Sequence, residues 1–151
     1  MKPKNQNHIF VDTNIIIGAY SNEKKFIKER QCWNYLTSLI GKKIYVSSLS
    51  IAQFISTLQH HKIDKKSVKN NVSNILAKVN IIDFTKDDID KSLSMQDNDL
   101  EDNIQYILAK KLKCGILFTQ NKRHYKDYID IEFILPMNTC ASNNINLILL
   151  L

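Results

Sequence analysis

Glycine is scarce in this chain of 151 residues: Gly18, Gly41 and Gly115 are the only three. That scarcity removes several enzyme classes at once. There is no G-x-G-x-x-G dinucleotide loop, no G-x-x-x-x-G-K-[ST] phosphate loop and no G-x-S-x-G nucleophile elbow. Cysteine is also rare. Cys32, Cys114 and Cys140 are odd in number, widely spaced and without a C-x-x-C, so neither a disulfide framework nor a zinc ribbon is expected, and the thiols read as small core hydrophobes. His8, His60, His61 and His124 show no H-E-x-x-H or other zinc spacing; the His60-His61 pair reads as a polar cap on a helix end. No apolar run approaches the roughly 20 residues of a membrane span. The tail "INLILLL" is far shorter and predicts a helix end that packs on the core or on a second subunit. The start, "MKPKNQNH", is polar and carries no apolar signal segment, which makes the cytoplasm the expected location, with no membrane partner. Internal repeats and Pro-, Gly- or Ser-rich linkers are missing as well, so one domain over residues 1–151 is expected.

What is present is ordinary in amount and informative in order. Hydrophobic residues make up 44% and charged residues 24%, enough for a soluble globular domain with a real core. The formal charge of +6 suits an anionic partner such as nucleic acid, or an acidic protein. Short β-like runs occur at 8–11, 43–47, 80–84, 115–119 and 131–135, rich in Ile, Val, Phe and Tyr. Helical spacing of apolar residues predicts helices over 24–40, 49–61, 64–79 and 99–113. Strands alternating with helices predict an α/β fold with a parallel sheet, whose ligands bind beyond the carboxyl ends of the strands.

Three places carry polar chemistry at such ends. The run "HIFVDTNIII" (8–17) places Asp12 just past a strand, followed by Thr13 and Asn14. Asp99 and Asp102, three apart, open the helix before the fourth strand, where acids also complement the helix dipole and Asp99 fits an N-cap. Thr119 and Asn121 follow the fourth strand in a T-x-N turn. Oxygen donors converging from such positions could hold a hard divalent cation, Mg²⁺ or Mn²⁺.

These segments together resemble the PIN-domain family of nucleases, which includes the toxins of bacterial type II toxin–antitoxin pairs. "FVDTNIII" is similar to the family's first motif, "IYVSSLSIAQFISTL" to its second, and "DLEDNIQYILAKKLKCGILFTQNKRHY" to its third and fourth; Pro136 after the last strand also fits. The resemblance spans about 8–137, leaving 138–151 as an apolar C-terminal helix or tail. It implies a three-layer α/β/α fold with a central, mostly parallel sheet of about five strands. It makes Asp12 and Asp102 the catalytic, metal-binding carboxylates. Asn14 would hold the first loop, Thr119 and Asn121 would be polar groups at the site's edge, and Asp99 a helix cap or outer acid.

Two positions depart from the family pattern. Gln53 stands where a Glu is usual, and His124 stands where the Asp of T-x-N-x-x-D-F is usual. A site with fewer acids should bind its cation more weakly. Gln53 also matches an S-x-x-Q capping box with Ser50, and His124 can equally be a solvated loop residue, a phosphate contact or a replacement ligand. Lys122, Arg123 and Lys126 beside the same loop would hold an RNA backbone, or simply face solvent. The resemblance therefore implies a metal-dependent endoribonuclease acting on RNA, neutralised by an antitoxin protein and paired as a homodimer. The alternative is a degenerate PIN domain that binds RNA or a protein without cutting. A haloacid-dehalogenase-like phosphatase also begins with an Asp after its first strand, but needs D-x-D where this chain has D-T-N.

Overall fold

The computed structural model describes residues 5–95, 99–121, 125 and 132–134. Five strands form one sheet: β1 (Asn5–Val11), β2 (Lys43–Ser47), β3 (Asn80–Ile82), β4 (Cys114–Phe118) and β5 (Glu132–Ile134). Their order is β3-β2-β1-β4-β5, and every pairing is parallel. Six α-helices connect them among the described residues: α1 (Thr13–Tyr20), α2 (Ile27–Ser38), α3 (Ser48–His60), α4 (Lys65–Leu76), α5 (Lys86–Leu93) and α6 (Leu100–Lys111). A 3-10 turn, Lys24–Phe26, leads into α2.

The alternation of side chains along each strand builds two cores. From β1, Ile9 and Val11 face one side while Phe10 faces the other. From β4, Ile116 and Phe118 join the first side and Leu117 the second. The first core adds Ile15 and Ile16 of α1, Trp33 and Leu36 of α2, Phe54 of α3 and Ile75 of α4. The second adds Ile104, Leu108 and Ala109 of α6. The last three residues of β1 and the whole of β4 are therefore covered on both faces, which is why those stretches read as unbroken apolar runs.

The expected strand and helix positions are found, with shifted ends. β1 starts three residues earlier than the run 8–11, and β3 stops at Ile82 rather than residue 84. The expected long helix over 24–40 is divided into the 3-10 turn and α2. Two helices were not anticipated, α1 and α5. The α1 sequence "TNIIIGAY" is rich in β-branched residues, which favour strands on local grounds. Burial of Thr13, Ile15, Ile16 and Gly18 overrides that preference. Gly18 lets α1 approach α2 closely: a Cβ there would lie 2.8 Å from Glu29 Cγ.

Cys114 is free and buried, and burial pushes its thiol up to about 12. Cys32, expected as a plain thiol, is instead disulfide-bonded. No helix among the described residues is long and apolar enough to cross a membrane. The apolar tail and Pro136 lie outside the described residues.

Candidate active site

Asp12 occupies the N-cap position of α1 with an extended backbone, yet its side chain makes no capping bond. A helix cap is the ordinary use of an Asp at this place, and the carboxylate is turned to something else. It is 2% exposed, and Thr119 Oγ1 donates to its Oδ2 at 2.8 Å. The backbone N–H of Asn121 donates in turn to Thr119 Oγ1 at 3.0 Å. The two ends meet because β1 and β4 are neighbours, with Val11 opposite Phe118 and the Asp12 N–H bonded to the Phe118 carbonyl at 3.0 Å.

Asp102 arrives from α6. Asp99 is the N-cap of that helix, its side chain accepting from the Glu101 N–H at 2.8 Å. Because Asp99 performs the cap, Asp102 one turn later is left to face a cleft. Its Oδ1 accepts from the Tyr125 hydroxyl at 3.1 Å. The cleft, of about 340 Å³, is lined by Asp12, Asn14, Gln53, Glu101, Asp102 and Gln105, with Thr13, Ile17, Ser56 and Thr57 completing its wall. Asp12 and Asp102, ninety residues apart in the chain, thus share one wall of one cavity at the carboxyl edge of the sheet. Three helices start at that edge, and their N-terminal dipoles favour negative charge there.

The structure separates the remaining expected residues. Asn14 lines the cleft, but from the first turn of α1 and not from a loop. Thr119 lies behind the cleft as the support of Asp12; Asn121 reaches it only through Thr119, and Asp99 is a cap outside the lining. His124, Lys122, Arg123 and Lys126 lie outside the described residues. Gln53 faces the cleft and is not the cap of α3: Ser47 fills that role, accepting from the Ser50 N–H at 3.0 Å. The Ser50–Gln53 capping box fails because the helix begins three residues earlier than that box requires. Glu101 and Gln105 also line the cleft, although neither stood out in the sequence beside the more regular Asp99–Asp102 spacing.

Behind the cleft wall runs a chain of small polar side chains. Thr13 Oγ1 lies 2.7 Å from Ser50 Oγ and donates to Gln53 Oε1 at 2.9 Å. Ser50 Oγ lies 2.9 Å from Ser47 Oγ. Gln105 Nε2 donates to Thr13 Oγ1 at 3.2 Å and to Ser50 Oγ at 2.9 Å. These bonds tie the starts of α1 and α3 to the middle of α6.

The PIN domain profile matches residues 9–128, most of the sequence. This chain belongs to the PIN-domain family. A curated PIN relative, "Ribonuclease VapC1" of Aquifex aeolicus strain VF5, is 26% identical over 147 residues, covering 93% of this chain and 98% of the relative. Among solved structures, the toxin-antitoxin complex from Klebsiella pneumoniae superposes with a TM-score of 0.63 at 18% identity, over 85% of this chain and 97% of that one. VapBC2 from Rickettsia felis, bound to a DNA fragment from its promoter, gives 0.62 at 15% identity, over 85% and 98%. At such identities the superpositions establish the PIN fold.

Against the PIN pattern, the donor set of this cleft is all oxygen and amide, with no sulfur or imidazole among its lining residues. That chemistry fits a hard divalent cation. No group of three or more His, Cys, Asp or Glu positioned for a metal occurs among the described residues. Gln53 accounts for part of that shortfall, since a Glu there would add a carboxylate to the cleft.

Proposed function

We propose that this PIN domain is a divalent-metal-dependent endoribonuclease, with Asp12 and Asp102 as its catalytic carboxylates, and that it acts in the cytoplasm as a toxin restrained by a protein antitoxin. The observation that carries the reading is the convergence of Asp12 and Asp102 on one cleft, each carboxylate oriented by a hydroxyl, Thr119 or Tyr125. The relative named Ribonuclease VapC1 is matched over 98% of its length, which supports a ribonuclease here. The antitoxin part of the reading is supported by the toxin-antitoxin complex among the structural neighbours, and a homodimer is proposed on the family resemblance and the apolar tail alone.

Asp12 and Asp102 would hold Mg²⁺ or Mn²⁺, with Asn14 as a further oxygen donor on the lining. Such an ion supplies Lewis acidity toward water and the phosphodiester. The chain's own residues do the rest. Thr119 and Tyr125 fix carboxylate directions, and the walls of the cleft limit where a phosphate can enter. Lys122, Arg123 and Lys126 are proposed to hold the RNA backbone as point charges.

A second reading, a PIN domain that binds without cutting, is favoured by the want of a third metal-binding acid among the described residues. One comparison separates the two. The purified protein is incubated with labelled single-stranded and structured RNAs in Mn²⁺ or Mg²⁺, beside the Asp12→Asn, Asp102→Asn double variant. Cleavage by the wild type, reduced at least a hundredfold in the double variant, is the expected result. Equal cutting by both would mark a contaminant and end the nuclease reading, whereas RNA binding without cutting by either would select the second reading.

A further inference from the structure

Gln53 sits where the cleft would gain most from an acid, so its own chemistry decides what that position does. The bonds around it fix which end of its carboxamide faces the cleft. Every contact in the chain Ser47, Ser50, Thr13, Gln53 and Gln105 needs one proton, and every hydroxyl has one to give. The 2.7 Å contact between Thr13 and Ser50 requires a proton between them. Were Gln105 turned to present Oε1, only one hydroxyl proton could go to it while the other stays in that contact, and its 3.2 Å contact with Thr13 would then hold none. Gln105 therefore donates to both hydroxyls, as found. With those protons placed, Ser47 donates to Ser50, Ser50 to Thr13, and Thr13 to Gln53 Oε1.

The opposite orientation of Gln53, with Nε2 toward Thr13, reverses the chain. Ser47 would then accept from both the Ser50 N–H and the Ser50 hydroxyl, and its own proton would have no acceptor. Ser47 is fully buried, so no water offers one. Other arrangements ask one hydroxyl oxygen to accept three protons with two lone pairs. The Gln53 carbonyl is thus committed to Thr13 at the back of the cleft, and its NH₂ group is presented to the cleft side, where Gln53 forms part of the lining.

We infer that Gln53 is a substrate-binding residue, whose side-chain N–H donates to a non-bridging phosphate oxygen of RNA beside Asp12 and Asp102, and is not a metal ligand. The inference rests on the ribonuclease reading of the same cleft. An amide N–H is a donor only, and it complements an anionic oxygen where Asp12 and Asp102 complement a cation. The role left vacant by a carboxylate is thereby replaced by one of opposite preference, at no cost in net negative charge near the phosphate.

The test uses the neutral isostere Gln53→Met, which removes the donor and the carbonyl together. In the Asp12→Asn, Asp102→Asn background the cleft repels phosphate less and cutting is absent. There, in EDTA, Gln53→Met should weaken binding of a fluorescein-labelled single-stranded RNA about fivefold by anisotropy, and Gln53→Lys, which restores a donor, should recover it. In the wild-type background, calorimetric Mn²⁺ affinity of Gln53→Met should equal that of the native protein. Unchanged RNA affinity in Gln53→Met overturns the inference, and so does a loss of Mn²⁺ affinity. Both readouts stand apart from cleavage: a native protein that binds RNA through Gln53 but never cuts defeats the nuclease reading alone.

Discussion

At the scale of single residues, the site depends on how each carboxylate is held. Asp12 is nearly enclosed, and the Thr119 hydroxyl both donates to it and accepts from the Asn121 N–H. Thr119→Val keeps the shape and removes both bonds. Losing a hydrogen bond to a charged group costs about 1.5–3 kcal/mol, so urea unfolding should show a loss in that range, and Mn²⁺ affinity should fall with it. An unchanged midpoint would mean that the hydroxyl holds nothing in solution. Asp12 and Asp102 were legible beforehand, because an acid at the end of an apolar strand and acids at a helix start leave a pattern in the chain. Thr13, Ser50 and Gln105 were not. They meet across separations of 37 to 92 residues, and no spacing rule reports a contact that only the sheet order creates. Gln53 was visible as a departure, but its partner Thr13 was not, and the partner settles its orientation.

Among the elements, α5 and α6 are joined by an ion pair that periodicity alone could not show. Thr85 caps α5 and accepts weakly from the Asp88 N–H, while Asp88 Oδ2 accepts from the Thr85 N–H and hydroxyl, and from Lys111 Nζ at 3.0 Å. Burial acts to raise the Asp88 carboxyl, but the Lys111 and Thr85 bonds outweigh it and hold the group below the usual carboxylate value. A carboxyl held low in the folded state contributes stability above its unfolded value, about 3.9, and loses it as pH falls through the folded value. Asp88→Asn should therefore lower the melting temperature at pH 7, and the gap to wild type should close as pH falls below about 3.9. A gap that persists unchanged at pH 2.5 would assign the effect to the cap geometry and not to the charge. The helix itself escaped the sequence reading because "KDDIDKSL" offers only Ile89 and Leu93 as apolar residues, both exposed. By contrast, β2 was placed to the residue, since a bounded β-branched and aromatic run needs no tertiary contact to be seen.

For the whole molecule, strand order decides where the cleft lies. The chain leaves central β1 toward β2 and β3, then crosses to β4 and β5 on the other side, so the connections diverge at the carboxyl end of β1. That alternation of direction is what brings residue 12, residue 53 and residue 102 to one mouth. The fold class and the sheet's parallel character followed from alternating strands and helices, while the β3-β2-β1-β4-β5 order is visible only in the structure, because periodicity carries no information about which strands are neighbours. The net charge of +6 is a property of the same scale. If phosphate contacts carry RNA binding, log affinity should fall linearly with log salt, with a slope of about −0.7 per phosphate neutralised on a single strand. Anisotropy titrations from 50 to 300 mM KCl (roughly the range in which such slopes are measured) check this; a flat line would exclude the lysines and arginines from the interface.

β1 bonds to β2 on one side and to β4 on the other. A ribosome delivers these strands in the order β1, β2, β3, β4, so β1 spends most of synthesis with one edge open. Asp12 cannot receive Thr119 until the fourth strand has emerged and docked, more than a hundred residues after Asp12 itself was made. Chains not yet extended through α6 and β4 thus carry Asp12 without Asp102 and without the hydroxyl that holds it. The cleft is therefore assembled late relative to its first acid, and a chain halted between the two presents no pair of carboxylates.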